Sequence, residues 1–201
     1  MTTQQILVGI QGGVGSFNHA AAVRHLPQFF GHKDWRPEFL HTPKAVFQGL
    51  HDRSVQFGQF ALWNSTAGAY VECLHELARY QCEVATTYKL PIRHSLLHSK
   101  SSRLQDLRIV MTHRDVLKQC GKTLESRYPS FEVSVGVGEL EDPSKIAEAI
   151  ATGQLGPEVA TVSNGLLAEH FDLAVADSEM ADDPRNESTF LLVRNLELEK
   201  L

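Results

Sequence analysis

Cysteine is scarce in this chain: Cys73, Cys82 and Cys120 are the only three in 201 residues, and no two form a C-x-x-C pair. An odd, scattered set excludes a disulfide framework and fits reduced thiols in a cytosolic protein. Long apolar runs are missing as well. None approaches the roughly 18 residues that a membrane-spanning helix needs. The opening Met1-Thr2-Thr3-Gln4-Gln5 has neither the basic region nor the apolar stretch of a secretory leader. The mature protein is therefore expected to begin here and to reside in the cytoplasm. Basic charge is not in excess either, with 19 Lys and Arg against 24 Asp and Glu and a net charge of −5. That excludes the positive field a nucleic-acid binder needs. There is no internal repeat and no low-complexity tract.

Histidine, by contrast, is plentiful, with ten in the chain. The close sets are His94 with His98, His19 with His25, and His41 near His51. None has the carboxylate or thiolate partners of a zinc site, so no metal is expected, and no cofactor.

A chain of this length can bury a proper core, as one domain or as two small lobes. Ile6-Leu7-Val8-Gly9-Ile10 reads as a buried strand closed by a glycine-rich turn. A helix follows from Ser16. Phe39-Leu40 reads as a second short strand, and Thr42-Pro43 as the cap and first residue of a second helix. Gly58 to Trp63 is a third strand running into Asn64-Ser65-Thr66. From Ala67 the spacing of Tyr70, Leu74, Leu77 and Ala78 predicts an amphipathic helix. This β-α-β-α-β-α order is the mark of a mostly parallel α/β sheet.

Further on, Glu83 to Tyr88, Ile92 to His98, Arg108 to Met111, Phe131 to Val135, Val159 to Val162 and Thr189 to Val193 read as strands. Helices are expected around Val116 to Leu124, from Asp142-Pro143-Ser144 through Ile150, and over Leu166 to His170. The pattern predicts a first lobe of residues 1–80 plus 165–201 and a second of residues 81–164.

Four segments carry candidate chemistry. The turn Gly12-Gly13-Val14-Gly15-Ser16 follows a strand and opens a helix. Glycines there admit close approach of a ligand, and a helix N-terminus offers free N–H groups to an anion. It lacks the third glycine of a dinucleotide fingerprint and the Lys of a phosphate loop, and it also reads as a plain tight turn. Asn64-Ser65-Thr66 fits a helix cap. In Thr112-His113 with Gln119-Cys120, an amphipathic helix accounts for Cys120 as a small buried residue but leaves Gln119 unexplained. The fourth segment is Asn186-Glu187-Ser188-Thr189-Phe190.

In this order and at this spacing the four segments resemble the motifs of the prephenate dehydratase catalytic domain, across nearly the whole chain. That family's first motif, Gly-Pro-x-Gly-Thr-Phe-Ser, is matched with Gly13 for Pro, Ser16 for Thr and Asn18 for Ser. Its Glu-Asn-Ser motif is matched at Asn64 and Ser65, with Gly68 following, but Trp63 stands at the Glu position. In its Ser-His-Pro-x-x-x-x-Gln-Cys motif, His113, Gln119 and Cys120 match, while Thr112 replaces Ser and Arg114 replaces Pro. In its Asn-x-Thr-Arg-Phe motif, Ser188 keeps a hydroxyl and Thr189 stands for the arginine.

The resemblance implies a two-lobed α/β fold similar to a periplasmic binding protein, with helices on both faces of mostly parallel sheets. It implies Ser188 as the catalytic hydroxyl. Gly15, Ser16, Asn18, Asn64, Ser65, Gln119, Thr189 and Phe190 would bind a small dianionic substrate. A homodimer is also implied. Because the sequence stops eleven residues after Phe190, the family's C-terminal regulatory domain is expected to be absent. Thr189 lacks the bidentate cation that suits a carboxylate, a loss of ~2–5 kcal/mol unless another group such as Arg185 or Arg114 compensates.

Three functions follow from the resemblance. The first is dehydration and decarboxylation of prephenate to phenylpyruvate. The second is decarboxylation that keeps the ring hydroxyl. The third is binding of a small anion without catalysis. Trp63, at a strand end, is expected either to line the cleft or to sit in the core.

Overall fold

The computed structural model describes residues 5–196. Met1–Gln4, on which the expected leaderless start rests, and residues 197–201 at the end of the expected first lobe lie outside the described residues. Among the described residues no helix is long and apolar enough to cross a membrane.

The elements run β1 (Ile6–Ile10), α1 (Phe17–Phe30), β2 (Trp35–Phe39), α2 (Pro43–His51), β3 (Phe57–Asn64), β4 (Gly68–Ala69), α3 (Val71–Arg79), β5 (Cys82–Pro91) and β6 (His94–Ser99). They continue β7 (Ile109–Thr112), α4 (Arg114–Arg127), β8 (Glu132–Val135), α5 (Pro143–Ala151), β9 (Val159–Asn164), α6 (Leu166–Phe171), β10 (Leu173–Asp177) and β11 (Glu187–Asn195). Two sheets result. The first has the order β2-β1-β3-β11-β5 with β4 paired to β3, and the second has the order β10-β6-β9-β7-β8.

Both sheets are mixed. β1 is parallel to β2 and β3, and β7 is parallel to β8 and β9. β11 runs against β3 and β5, and β6 runs against β9 and β10. The expected lobe limits at 80/81 and 164/165 do not coincide with the sheet limits. β5 is in the first sheet, paired with β11 from Glu187↔Pro91 to Asn195↔Cys82. β10 is in the second, paired with β6. The chain therefore passes between sheets after Pro91 and again between Asp177 and Glu187. Ile92 N donates to Asn186 O at 2.8 Å, which ties the two passages to each other.

Alternation along β11 explains how one strand serves two layers. Leu192 packs with Val8, Ile10, Ala22, Leu26 and Phe30 under α1. Leu191 and Val193 pack with Val46, Phe47, Leu50 and Cys73 under α2 and α3. In the second sheet α4 covers one face through Val116, Cys120 and Leu124, and α5 covers the other through Ile146 and Ile150. The caps fall where side-chain chemistry places them. Ser16, Thr42 and Asp142 accept from the backbone of α1, α2 and α5, and Pro43 and Pro143 open their helices.

Candidate active site

β3 and β11 lie side by side with Ser188 opposite Asn64 and Thr189 opposite Trp63. The register then skips Leu62, so that Phe190 faces Ala61. This extra residue on β3 is a bulge, and it turns Asn64 onto the face that carries Ser188. Asn64 Oδ1 accepts from the backbone of Thr66 at 2.9 Å and Ala67 at 2.7 Å. Those bonds fix which end of the amide is nitrogen. Its Nδ2 donates to Ser188 Oγ at 2.9 Å and to Asn186 Oδ1 at 2.7 Å.

The chain of contacts crosses to the second lobe. Asn186 Nδ2 donates to Gln119 Oε1 at 2.7 Å. Gln119 Nε2 donates to Asp115 O at 2.8 Å, which fixes that amide too. His94 Nε2 lies 3.1 Å from Gln119 Oε1 and, because that oxygen only accepts, Nε2 carries the hydrogen. Ser188, Asn64, Asn186, Gln119 and His94 are all buried. Residues of three of the four motifs thus converge on one polar thread running from Ser188 to His94. Phe17, from the glycine turn, meets the His94 ring edge-on at 5.0 Å.

Burial holds the His94 imidazole neutral, lowering its pKa from 6.5 to about 4. The unfolded chain takes up a proton at this residue below pH 6.5, and the folded chain does so only near pH 4. Stability at this residue is thus complete above 6.5 and is lost as pH falls towards 4. On moving from neutral pH to about pH 4.5, the wild type should lose about 2–3 kcal/mol more than His94→Gln in urea unfolding. Equal acid sensitivity of the two proteins would exclude a buried neutral His94.

The structure brings together only part of the expected set. Ser188, Asn64 and Gln119 are joined as described, and Ser65 Oγ accepts from Glu187 N at 3.0 Å and lies 3.4 Å from Asn186 Oδ1. Ser16 is occupied as the α1 cap, accepting from His19 N at 3.2 Å. Asn18 turns to the sheet, where its carbonyl and side-chain oxygens accept from Gln59 Nε2 at 2.9 and 3.3 Å.

Gly15 has φ +77°, and a Cβ on it would meet Leu167 Cδ2 at 2.6 Å; one on Gly13 would meet Ser144 Oγ at 2.3 Å. The close approach expected of a ligand is made there by side chains of the second lobe. Beside them His41 Nδ1 meets Asp142 Oδ2 at 2.6 Å.

Two expected contacts are placed away from Ser188. Phe190 is 1% exposed and its ring stacks on Tyr88 in the core. Thr189 projects from the opposite face of β11 to Ser188 by strand alternation, level with Trp63 and Lys89. Trp63 is 51% exposed and shares that face with Thr189, so it is not a core tryptophan. Arg185 is 89% exposed at its side chain and lies against Asp183. Arg114 opens α4 and makes no ion pair among the described residues.

Two participants, Asn186 and His94, and one packing neighbour, Tyr70, escaped sequence reasoning. Asn186 lay inside a motif but was not assigned a role. His94 gave no signal beyond its place in an apolar strand. Tyr70 was absorbed into the apolar face of a helix, and it packs against the core clusters that hold Phe60 and Phe190. Burial pushes its phenol up to about 12, so it stays protonated. No group of three or more metal-ligating side chains is found among the described residues. A pocket of about 430 Å³ lies elsewhere, between the C-terminal ends of α2 and α3, and holds none of the motif residues.

Comparison with known proteins bears on this site. Residues 8–197 match the family model described as prephenate dehydratase. The bifunctional chorismate mutase/prephenate dehydratase of Pseudomonas aeruginosa is 28% identical over 199 residues, covering 97% of this chain and 50% of that protein. Arogenate dehydratase/prephenate dehydratase 2 of Arabidopsis thaliana, a chloroplastic protein, is 27% identical over 191 residues, covering 94% of this chain and 46% of that one. The chain spans about half the length of the curated relatives it matches. A solved structure of prephenate dehydratase from Arthrobacter aurescens, in complex with L-Phe, superposes with a TM-score of 0.79 at 18% identity. It covers 94% of this chain and 60% of that one, and it establishes the shared fold.

Proposed function

The chain belongs to the prephenate dehydratase family, and on that premise we propose that it is a lyase converting prephenate to phenylpyruvate in the cleft at Ser188. Prephenate carries two carboxylates and a ring alcohol. Loss of carbon dioxide releases an electron pair into the ring, the ring C–O bond breaks, and one proton joins the departing oxygen to form water. Aromaticity drives the change. The protein has to hold the dianion in a fixed polar setting and to supply that proton.

The observation that carries the proposal is the bond from Asn64 Nδ2 to Ser188 Oγ. A serine oxygen that accepts from an amide keeps its own hydrogen for another partner. Ser188 is thereby oriented as a donor, and the amides around it can donate to substrate oxygens without any charge being buried. Arg114, at the head of α4 and free of ion pairs among the described residues, is the cation we assign to a substrate carboxylate.

A second reading draws on Thr189. With no guanidinium at that position and its side chain on the far face from Ser188, the ring hydroxyl could be retained. The released electron pair would then be protonated at a ring carbon. Both reactions consume one proton per carbon dioxide, and they differ in whether it lands on oxygen or on carbon. Incubation with prephenate, following carbon dioxide and phenylpyruvate together, separates them. Equal amounts of the two support dehydration. Carbon dioxide without phenylpyruvate supports the second reading, and neither product would remove both.

A further inference from the structure

The two lobes also meet well away from the polar thread. The chain crosses between them at β5 and β11, on one side of the first sheet, and β2 forms the opposite edge of that sheet. Just past the end of β2, His41 Nδ1 lies 2.6 Å from Asp142 Oδ2 at the head of α5 in the second lobe. The lobes are in close contact around this pair. A Cβ on Gly13 would lie 2.3 Å from Ser144 Oγ and 3.3 Å from His41 Cε1. Neither His41 nor Asp142 falls in any motif of the chain.

Both partners are oriented by other bonds. His41 has φ +59°, a left-handed conformation that few residues other than glycine adopt. Its carbonyl accepts from Gly12 N at 2.9 Å, and Thr42 N donates to Leu40 O at 2.6 Å across it. His41 is thereby fastened to the glycine turn and to the head of α2. On the other side, Asp142 Oδ1 accepts from Ser144 N at 2.9 Å and from Ser144 Oγ at 2.8 Å as it caps α5. That leaves Oδ2 for His41. A carboxylate oxygen only accepts, so Nδ1 carries the hydrogen.

We propose that His41 and Asp142 are a positioning pair, a clasp that holds the two lobes closed over the Ser188 cleft at the edge opposite the chain crossings. Lobes joined at one side open about that side, and a bond at the opposite edge has the longest lever over the opening. The His41 side chain is 43% exposed and that of Asp142 13%. A bond so near water is weak enough to break and re-form in each cycle of substrate entry and product release. Because Gly12 is bonded to His41, closing the clasp carries the glycine turn against the second lobe. The proposal rests on the Ser188 reading above, and it adds what closes that site.

His41→Asn and Asp142→Ser test this. Asparagine accepts the left-handed backbone but is too short to reach Asp142. Serine still caps α5 but is too short to reach His41. Lys100→Gln, which removes an ion pair inside the second lobe, is the control. Small-angle scattering without ligand should give both clasp variants a larger radius of gyration than wild type. KM for prephenate should rise about two- to fivefold with kcat within about twofold, and the double variant should be no worse than either single one. Lys100→Gln should match wild type in each measurement. An unchanged radius in both clasp variants would overturn the proposal, as would a double variant whose KM rise is the product of two independent rises. If the wild-type chain leaves prephenate untouched, the lyase reading fails by itself, and the radii still decide whether His41 and Asp142 hold the lobes together.

Discussion

Ser188→Ala is expected to lower phenylpyruvate formation about 10²–10⁴-fold, the usual loss when a positioned proton donor is removed. Binding of the aromatic product should be nearly unchanged, because its one remaining carboxylate is assigned to Arg114 and not to Ser188. The side chain is 2% exposed and makes its described hydrogen bond to Asn64. Its removal frees one Asn64 hydrogen, which still has the Glu187 carbonyl at 3.2 Å. Folding should therefore tolerate the change, and the loss should appear in kcat rather than in the melting temperature. Ser188→Ala with undiminished phenylpyruvate output would remove the residue from the chemistry.

Asn64→Leu should act on both activity and stability. Leucine cannot accept from the Thr66 and Ala67 amides or donate to Asn186 and Ser188. Each buried polar group left without a partner costs about 1–3 kcal/mol. Some of these groups reach water or a second partner, so the expected total is about 3–6 kcal/mol. In a chain of this size that is a fall in melting temperature of roughly 10–20 °C. Turnover should be lost even at temperatures where the variant is folded. A melting temperature within a few degrees of wild type would show that the Asn64 amide is not the buried hub of the site.

The contrast between Ser188 and Asn64 reflects what the sequence made legible. Strands that lead into a turn and a capped helix are written locally, and α1, α2 and α5 begin at the cap residues Ser16, Thr42 and Asp142. Long-range pairing is not written locally. β5 reads as a member of a second lobe because it follows helix α3, and only its pairing with β11, about a hundred residues later, puts it in the first sheet. The same holds for β10 and for the mixed direction of both sheets.

Local exceptions have local causes. The helix expected from Ala67 begins at Val71, because Gly68 takes φ +84° and folds back so that Gly68–Ala69 pairs with β3. β2 is longer than expected and contains Pro37, which strand-reading penalises. As an edge strand it can accommodate proline.

Within the site, motif resemblance located Asn64, Gln119 and Ser188 but could not say which face of β11 each residue occupies. Alternation puts Thr189 and Ser188 on opposite faces, and the bulge at Leu62 brings Asn64 to the second of them. Positions 63 and 189, the two that depart most from the family motifs, are cross-strand partners. Their changes are therefore neighbours on one surface rather than two separate losses around Ser188. His94 was invisible for a different reason. A histidine in an apolar strand has an ordinary packing explanation, and only the folded chain shows its Nε2 meeting Gln119.

The central claim is that the polar thread from Ser188 to His94 is where the substrate sits. A crystal structure of the chain with phenylpyruvate tests it most directly. The account predicts the product in the cleft beside Ser188, with its carboxylate near Arg114 and its polar atoms meeting the Asn64–Gln119 network. Phenylpyruvate bound instead between the ends of α2 and α3, in the pocket beside Arg79 and His51, with the Ser188 cleft unchanged, would contradict it.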